Sequence, residues 1–135
     1  MYKNILVPVL LDGAHDTQSS YLAAKTLADE DAKFTVLHVM ETIPSFVIAQ
    51  IPKDTLARSH KEAEEALEKS ATALPDATTH LASGNPGRVI VDYAQEHDID
   101  CIIVASHRPG IEDYFLGSTA ARVVRHAQCP VHVIR

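Results

Sequence analysis

Cys101-Ile102-Ile103-Val104-Ala105 runs directly into Ser106-His107-Arg108-Pro109-Gly110, and after the eight residues 109–116 comes Gly117-Ser118-Thr119-Ala120. The first five residues are apolar without alternation. Such a run predicts a strand buried on both faces, as in a parallel sheet covered by helices. A small residue ends it, and a polar, basic segment follows. Gly117-Ser118 then opens an amphipathic helix to about Ala127, with Ala120, Val123, Val124 and Ala127 expected inward. A strand feeding a helix N-terminus is the layout of an anion site, because the first N–H groups of a helix lack intrahelical partners and face the positive dipole end. Gly117 leaves room for a phosphate beside the backbone. Ser118 is positioned to cap the helix or to donate its hydroxyl. Arg108 brings a fixed charge with fork geometry, and His107 brings a donor. These groups suit the phosphates of a nucleotide. A competing reading, in which Ser118 only caps the helix and Ser106-His107-Arg108 is a surface turn, stays open on local chemistry alone. Neither a Gly-x-x-x-x-Gly-Lys-Ser/Thr loop nor a Gly-x-Gly-x-x-Gly after the first strand is present.

Outward from this stretch the chain alternates strand and helix. Ile5 to Val9 is a short apolar run read as the first strand, with Pro8 near its end where a ladder N–H is spared. Asp12-Gly13 marks a turn. A helix is expected over about 16–29, capped by Asp16 or Thr17, with Leu22, Ala23 and Leu27 on its apolar face. Phe34 to Met40 reads as the second strand. Residues 41–54 carry Ile43, Pro44, Phe46, Val47, Ile48, Ile51 and Pro52 with no regular period. That length predicts either a lid or contact surface or a loop packed on its own domain. A helix over 53–74 follows, with Leu56, Ala63, Leu67 and Leu74 on one face and a glutamate-rich solvated face opposite. Thr78 to Ser83 reads as a weaker edge strand. Asn85 and Pro86 form a helix start, and Val89, Ile90, Tyr93, Ala94 and His97 keep a 3.6-residue period. Val131 to Ile134 is the last strand. The pattern predicts an α/β fold, a five-stranded parallel sheet of order 3-2-1-4-5 with helices on both faces, Rossmann-like, in one domain over 1–135. Ligands in such folds bind beyond the strand C-termini where the order reverses. Those ends here are Pro8-Val9-Leu10 and Ala105 to Arg108.

Composition narrows the function classes. The chain has 135 residues, no Trp, two Cys and a formal net charge of −6. A broad surface for nucleic acid or an anionic membrane is therefore not expected. No apolar stretch approaches the roughly 20 residues of a spanning helix, so a cytoplasmic location is expected. Cys101 and Cys129 are read as buried apolar thiols. The other histidines (His15, His38, His60, His80, His97, His126 and His132) are scattered without metal-ligand spacing.

Taken together, Ile-Leu-Val-Pro at 5–8, Leu-His-Val at 37–39, Ile-Ile-Val-Ala-Ser-His-Arg-Pro at 102–109, Leu-Gly-Ser at 116–118 and Cys-Pro-Val at 129–131 resemble the universal stress protein family, in order and over the whole chain. The resemblance is closest to the small, single-domain, ATP-binding branch. It implies a five-stranded parallel α/β fold of the adenine-nucleotide α-hydrolase-like kind, and a homodimer through the last strand, here Val131 and Val133. It also implies a Gly-x2-Gly-x9-Gly-Ser/Thr phosphate motif. Carried over by position, Ala105 takes the first glycine, Arg108 the second, and Gly117-Ser118 the final pair, with eight residues rather than nine before it. Val39 matches the position whose backbone meets adenine, and Pro8 and Val9 match residues lining the base. Leu10 stands where an aspartate is common. The implied nucleotide set is Pro8, Val9, Leu10, Val39, Val104, Ala105, Ser106, His107, Arg108, Gly117, Ser118 and Thr119.

The leading expectation is a nucleotide-binding regulatory protein of the stress response, with ATP as ligand and Mg²⁺ optional. No catalytic residue and no protein metal site are assigned. Two alternatives remain: an interaction module that has lost ATP binding, favoured by Leu10 and the replaced glycines, and a slow ATPase or autophosphorylating protein.

Overall fold

The continuous apolar runs become the central strands of one five-stranded parallel sheet in the computed structural model, which describes residues 1–11, 17–106 and 117–135. The elements are β1 (Tyr2–Pro8), α1 (Thr17–Leu27), β2 (Ala28–Met40), α2 (Ser45–Ile48), α3 (Lys53–Ala71), β3 (Thr78–Ser83), α4 (Pro86–Glu96), β4 (Cys101–Ala105), α5 (Ser118–His126) and β5 (Val131–Ile134). The strand order is β3-β2-β1-β4-β5, as the alternation of elements predicts. Every neighbouring pair is parallel.

Period-2 side-chain alternation divides the core into two layers. Ile5 and Val7 of β1, Val36 of β2 and Ile103 of β4 pack with Tyr21 and Ala24 of α1 and Leu67 and Ala71 of α3. Leu6, Leu37, Ile102 and Val104 point the other way, against Ile90 and Ala94 of α4 and Ala120 and Val123 of α5. Each fully buried Val, Leu or Ile contributes about 1.5–3 kcal/mol through removal of apolar surface from water. A sheet built almost wholly from these residues therefore needs no tryptophan.

Several details depart from the sequence reading. On α1, Leu22 is 65% exposed, and Ser20, Tyr21 and Ala24 face the sheet instead. Tyr21 carries the larger apolar body, and its hydroxyl finds a partner in Ser70 Oγ of α3, which removes the cost of burying it. On α5, Ala120 and Val123 are buried but Val124 is exposed, so the inward stripe is narrower than expected. The second strand starts at Ala28 rather than Phe34. Its polar beginning has little strand propensity but pairs with the start of β1 through a register shift between Tyr2 and Asn4, and the Met1 ammonium pairs with Asp29. The third helix ends at Ala71, three residues early. The start of α4 is as expected: Asn85 Oδ1 accepts from Arg88 N at 3.1 Å, with Pro86 in the first turn.

The N-terminal end of the sheet is closed by polar side chains. Asp100, just before β4, accepts from the backbone N–H groups of Lys3 (2.8 Å) and Asn4 (3.0 Å), one on each carboxylate oxygen. Its own N–H donates to Asn4 O at 2.9 Å. Asn4 Nδ2 donates to the carbonyls of His97 and Asp98 at 2.9 and 3.2 Å. One residue on each strand thus satisfies the backbone ends of the other. Asp100→Ala removes both acceptors and is expected to lower the unfolding free energy by about 1–3 kcal/mol in urea titrations. Asp100→Asn keeps one acceptor oxygen and should lose about half as much.

Cys101 is 1% exposed, and burial raises its thiol to about 11, with lesser contributions from Cys129 and Asp100. The unfolded thiol ionises near 8.5. As pH rises past that value the unfolded chain releases a proton that the native state keeps, so stability falls between about pH 8.5 and 11. Chemical denaturation across this range should show the decline. Cys101→Ala should flatten it, whatever its effect on absolute stability.

Candidate functional site

Strands β1 and β4 are neighbours, yet their ladder registers only Ile5 with Cys101 and Leu6 with Ile102. Both strands continue: β1 to Pro8 and β4 to Ala105. On its other side β1 stays paired with β2 through Pro8 and Leu37. The chain dictates where the first ladder stops. Val9 N donates to Leu37 O at 2.8 Å, so its N–H faces β2. Successive residues of a parallel strand face opposite neighbours, so the missing N–H of Pro8 is one that would have faced β4. The gap opens where the strand order reverses, with α1 and α3 on one side of the sheet and α4 and α5 on the other.

The β1–β2 wall of this crevice is held firmly. Val9 is 8% exposed, and its carbonyl accepts from His38 Nδ1 at 2.8 Å. The contact fixes the proton on Nδ1. Val9 is thus bound through both its N–H and its C=O to adjacent residues of β2. Val39 is also 8% exposed, and one residue on, Met40 O accepts from Gly84 N at 2.9 Å. Gly84 has φ 137°, a conformation that favours glycine. Leu10, which follows Val9, is 48% exposed.

The opposite wall is β4 and the start of α5. Val104 is buried, Ala105 is exposed and Ser106 is again buried. Ser106 N donates to Ile134 O at 2.8 Å, and Ser106 O accepts from Gly117 N at 2.6 Å. The two ends of the 107–116 segment are therefore joined directly. A Cβ at position 117 would lie 2.6 Å from Ser106 O, so glycine is required here by space, its φ of −59° being open to any residue. Gly117 occupies the N-cap position of α5 and Ser118 is the first helical residue, so of the two roles expected for Ser118, cap or hydroxyl donor, the cap position goes to Gly117. The first intrahelical bond is Ala121 N to Gly117 O, at 2.8 Å. The N–H groups of Ser118, Thr119 and Ala120 precede it, and no acidic side chain stands in this first turn. The geometry offers donors and a positive dipole end with no competing carboxylate on the helix.

The structure thus brings Pro8, Val9, Leu10 and Val39 to one side of the sheet's C-terminal edge, and Val104, Ala105, Ser106, Gly117, Ser118 and Thr119 to the other. His107 and Arg108 lie outside the described residues. Sequence reading missed His38 as a fastener of Val9, though it sits in the quoted Leu-His-Val segment. It also missed that Gly117 is a point of close backbone approach. Residues 41–54, the stretch expected to be either a lid or contact surface or a packed loop, are exposed except for half-buried Val47 and Ile51. They contain the short α2 and present Ile43, Phe46 and Ile48, Phe46 at 71% exposure. These exposed side chains favour the contact surface over the packed loop. Among the described residues no cluster of three or more His, Cys, Asp or Glu is placed to hold a metal ion. No helix among them is long and apolar enough to cross a membrane.

A family model described as universal stress protein family matches residues 1–135. The chain belongs to the universal stress protein family. It is 29% identical to universal stress protein G of Salmonella typhimurium over 142 residues, covering all of both chains. It is also 29% identical to universal stress protein YxiE of Bacillus subtilis over 150 residues, again covering all of both. Universal stress protein UspA from Lactobacillus plantarum superposes with a TM-score of 0.77 at 30% identity, over 99% of this chain and 98% of that one. The sheet order read from the sequence is the order this fold carries.

The geometry at Gly117 separates space from chemistry. Gly117→Ala must move the Ser106 carbonyl and is expected to lower stability by about 1–3 kcal/mol. Ser118→Ala leaves the cap residue Gly117 in place and should stay within about 0.5 kcal/mol of wild type. Thermal unfolding of the two variants side by side checks this contrast.

Proposed function

We propose that this universal stress protein is a nucleotide-binding regulatory protein of the stress response and that its ligand is ATP. One observation carries the reading. The β1–β4 ladder ends at Leu6 and Ile102, and the crevice beyond it faces the start of α5, whose first turn carries no acidic side chain. Apolar walls at one side and the N–H groups of a helix start at the other match a nucleotide, which has an apolar base and an anionic tail. Proteins of the same fold have been solved with related ligands: a universal stress protein in complex with cAMP, a family member from Arabidopsis thaliana with AMP bound, and one from Archaeoglobus fulgidus in complex with dAMP.

In this reading Pro8, Val9, Leu10, Val39 and Val104 line the base and sugar. Ala105, Ser106, His107, Arg108, Gly117, Ser118 and Thr119 take the ribose and phosphates. Arg108 supplies as charge what a second glycine would supply as backbone access. Mg²⁺ enters with the phosphates rather than through a protein metal site. The homodimer in this proposal forms through the outer edge of β5. Val131 and Val133 pack toward the α4–α5 layer, so pairing there uses backbone groups of the edge. The exposed hydrophobic side chains of Leu10, Ile43, Phe46 and Ile48 favour a second reading, a protein-interaction module without a nucleotide.

Thermal unfolding with and without millimolar ATP–Mg²⁺ separates the two. A ligand at a hundredfold excess over its Kd stabilises by about 2.7 kcal/mol, so a clear rise in Tm is expected. Arg108→Ala and Ser118→Ala should reduce the rise while leaving the Tm of the free protein nearly unchanged. No rise with ATP, ADP or AMP would leave the interaction module standing.

A further inference from the structure

Strand β3 is the outermost strand beside β2, paired in unbroken register from Thr35–Thr78 to Met40–Ser83. Alternate residues of an edge strand present their N–H and C=O groups outward, an open template for another chain. Natural edges are blunted by proline, lysine, inward charges or bulges. Thr78-Thr79-His80-Leu81-Ala82-Ser83 carries none of these, and its register has no shift.

Beside this edge, α3 and β3 enclose a cleft of about 330 Å³, lined by Glu64, Leu67, Glu68, Thr79, His80 and Leu81. Small-molecule sites are mostly apolar, whereas four of the six residues here are polar or charged. The cleft suits main-chain groups and a charged side chain. Glu64 pairs with His60 at 3.3 Å along the helix. Glu68 makes no ion pair or hydrogen bond among the described residues.

We propose that the free edge of β3 takes up an extended basic segment of another protein, which adds a strand and places a Lys or Arg in the cleft against Glu64 and Glu68. Charge decides between occupants. A second copy pairing through β3 would bring two Glu64–Glu68 pairs together, in a chain of net charge −6, and like charges across a new strand pair oppose it. A nucleic acid is repelled for the same reason. A lone divalent cation finds no group of three ligands among the described residues. A basic extended segment gains both the backbone ladder and the charge contacts. This proposal does not depend on the nucleotide reading, because the cleft lies at the outer edge of the sheet.

The test uses the full-length protein and a seven-residue peptide of alternating Lys and Thr, with a Glu–Thr peptide as control, followed by backbone amide NMR shifts up to millimolar peptide. The basic peptide should shift the amides of β3 and of α3 around Glu64 to Glu68, and the acidic peptide should not. Glu64→Gln with Glu68→Gln should weaken binding about fivefold to tenfold with no change in the ATP-induced rise in Tm. Absence of β3 shifts at the highest concentration would overturn the proposal. So would undiminished binding by the double variant, binding of Ca²⁺ at these carboxylates in place of peptide, or self-association of the protein through β3.

Discussion

The structure depends on where one hydrogen-bond ladder stops. β1 is the central strand, and it is bonded on both sides only as far as Leu6 and Ile102. Beyond that point Pro8 has no N–H to offer β4, and the chain leaves β4 for the far side of the sheet at the reversal of strand order. Everything assigned to the site follows from this gap. The crevice exists because the two strands go on without each other, its apolar wall because Val9 and Val39 are fixed to β2 and β3, and its polar wall because Gly117 brings the start of α5 against Ser106. A ladder continued through Val7 and Ile103 to Pro8 and Val104 would have closed the space.

Most of this is legible in the sequence. The largely apolar runs at 5–9, 34–40 and 101–105 read as strands covered on both faces, and their spacing leaves room for helices between them. Asn85-Pro86 named a helix start because the cap and the first-turn proline act locally. The errors came where burial is decided by partners remote in sequence. Leu22 looked like the inward residue of α1 by hydrophobicity. Tyr21 won that place because α3 supplies Ser70 for its hydroxyl, and no local pattern announces a partner 49 residues away.

The candidate site was half legible for the same reason. The residue types around 104–119 pointed to an anion, since glycine, serine and a basic pair before a helix are chemistry written locally. At Gly117 the sequence suggests room for a ligand, and the structure adds a second demand that no local pattern shows, room for the Ser106 carbonyl. The His38–Val9 contact was invisible because its two residues lie on adjacent strands. The segment 41–54 lacks any period, and Ile43, Phe46 and Ile48 are exposed on it.

The two ends of the sheet differ in a way that shapes its motion. At one end Asn4 and Asp100 bind β1 to the approach of β4 through five hydrogen bonds. At the other end the same two strands are unconnected. Separation of β1 from β4 should therefore be rare near Asn4 and Asp100 and easier toward their C-terminal ends, while β2 holds β1 throughout. The clasped end keeps the two strands in register, and the polar clasp is the fixed point from which they diverge.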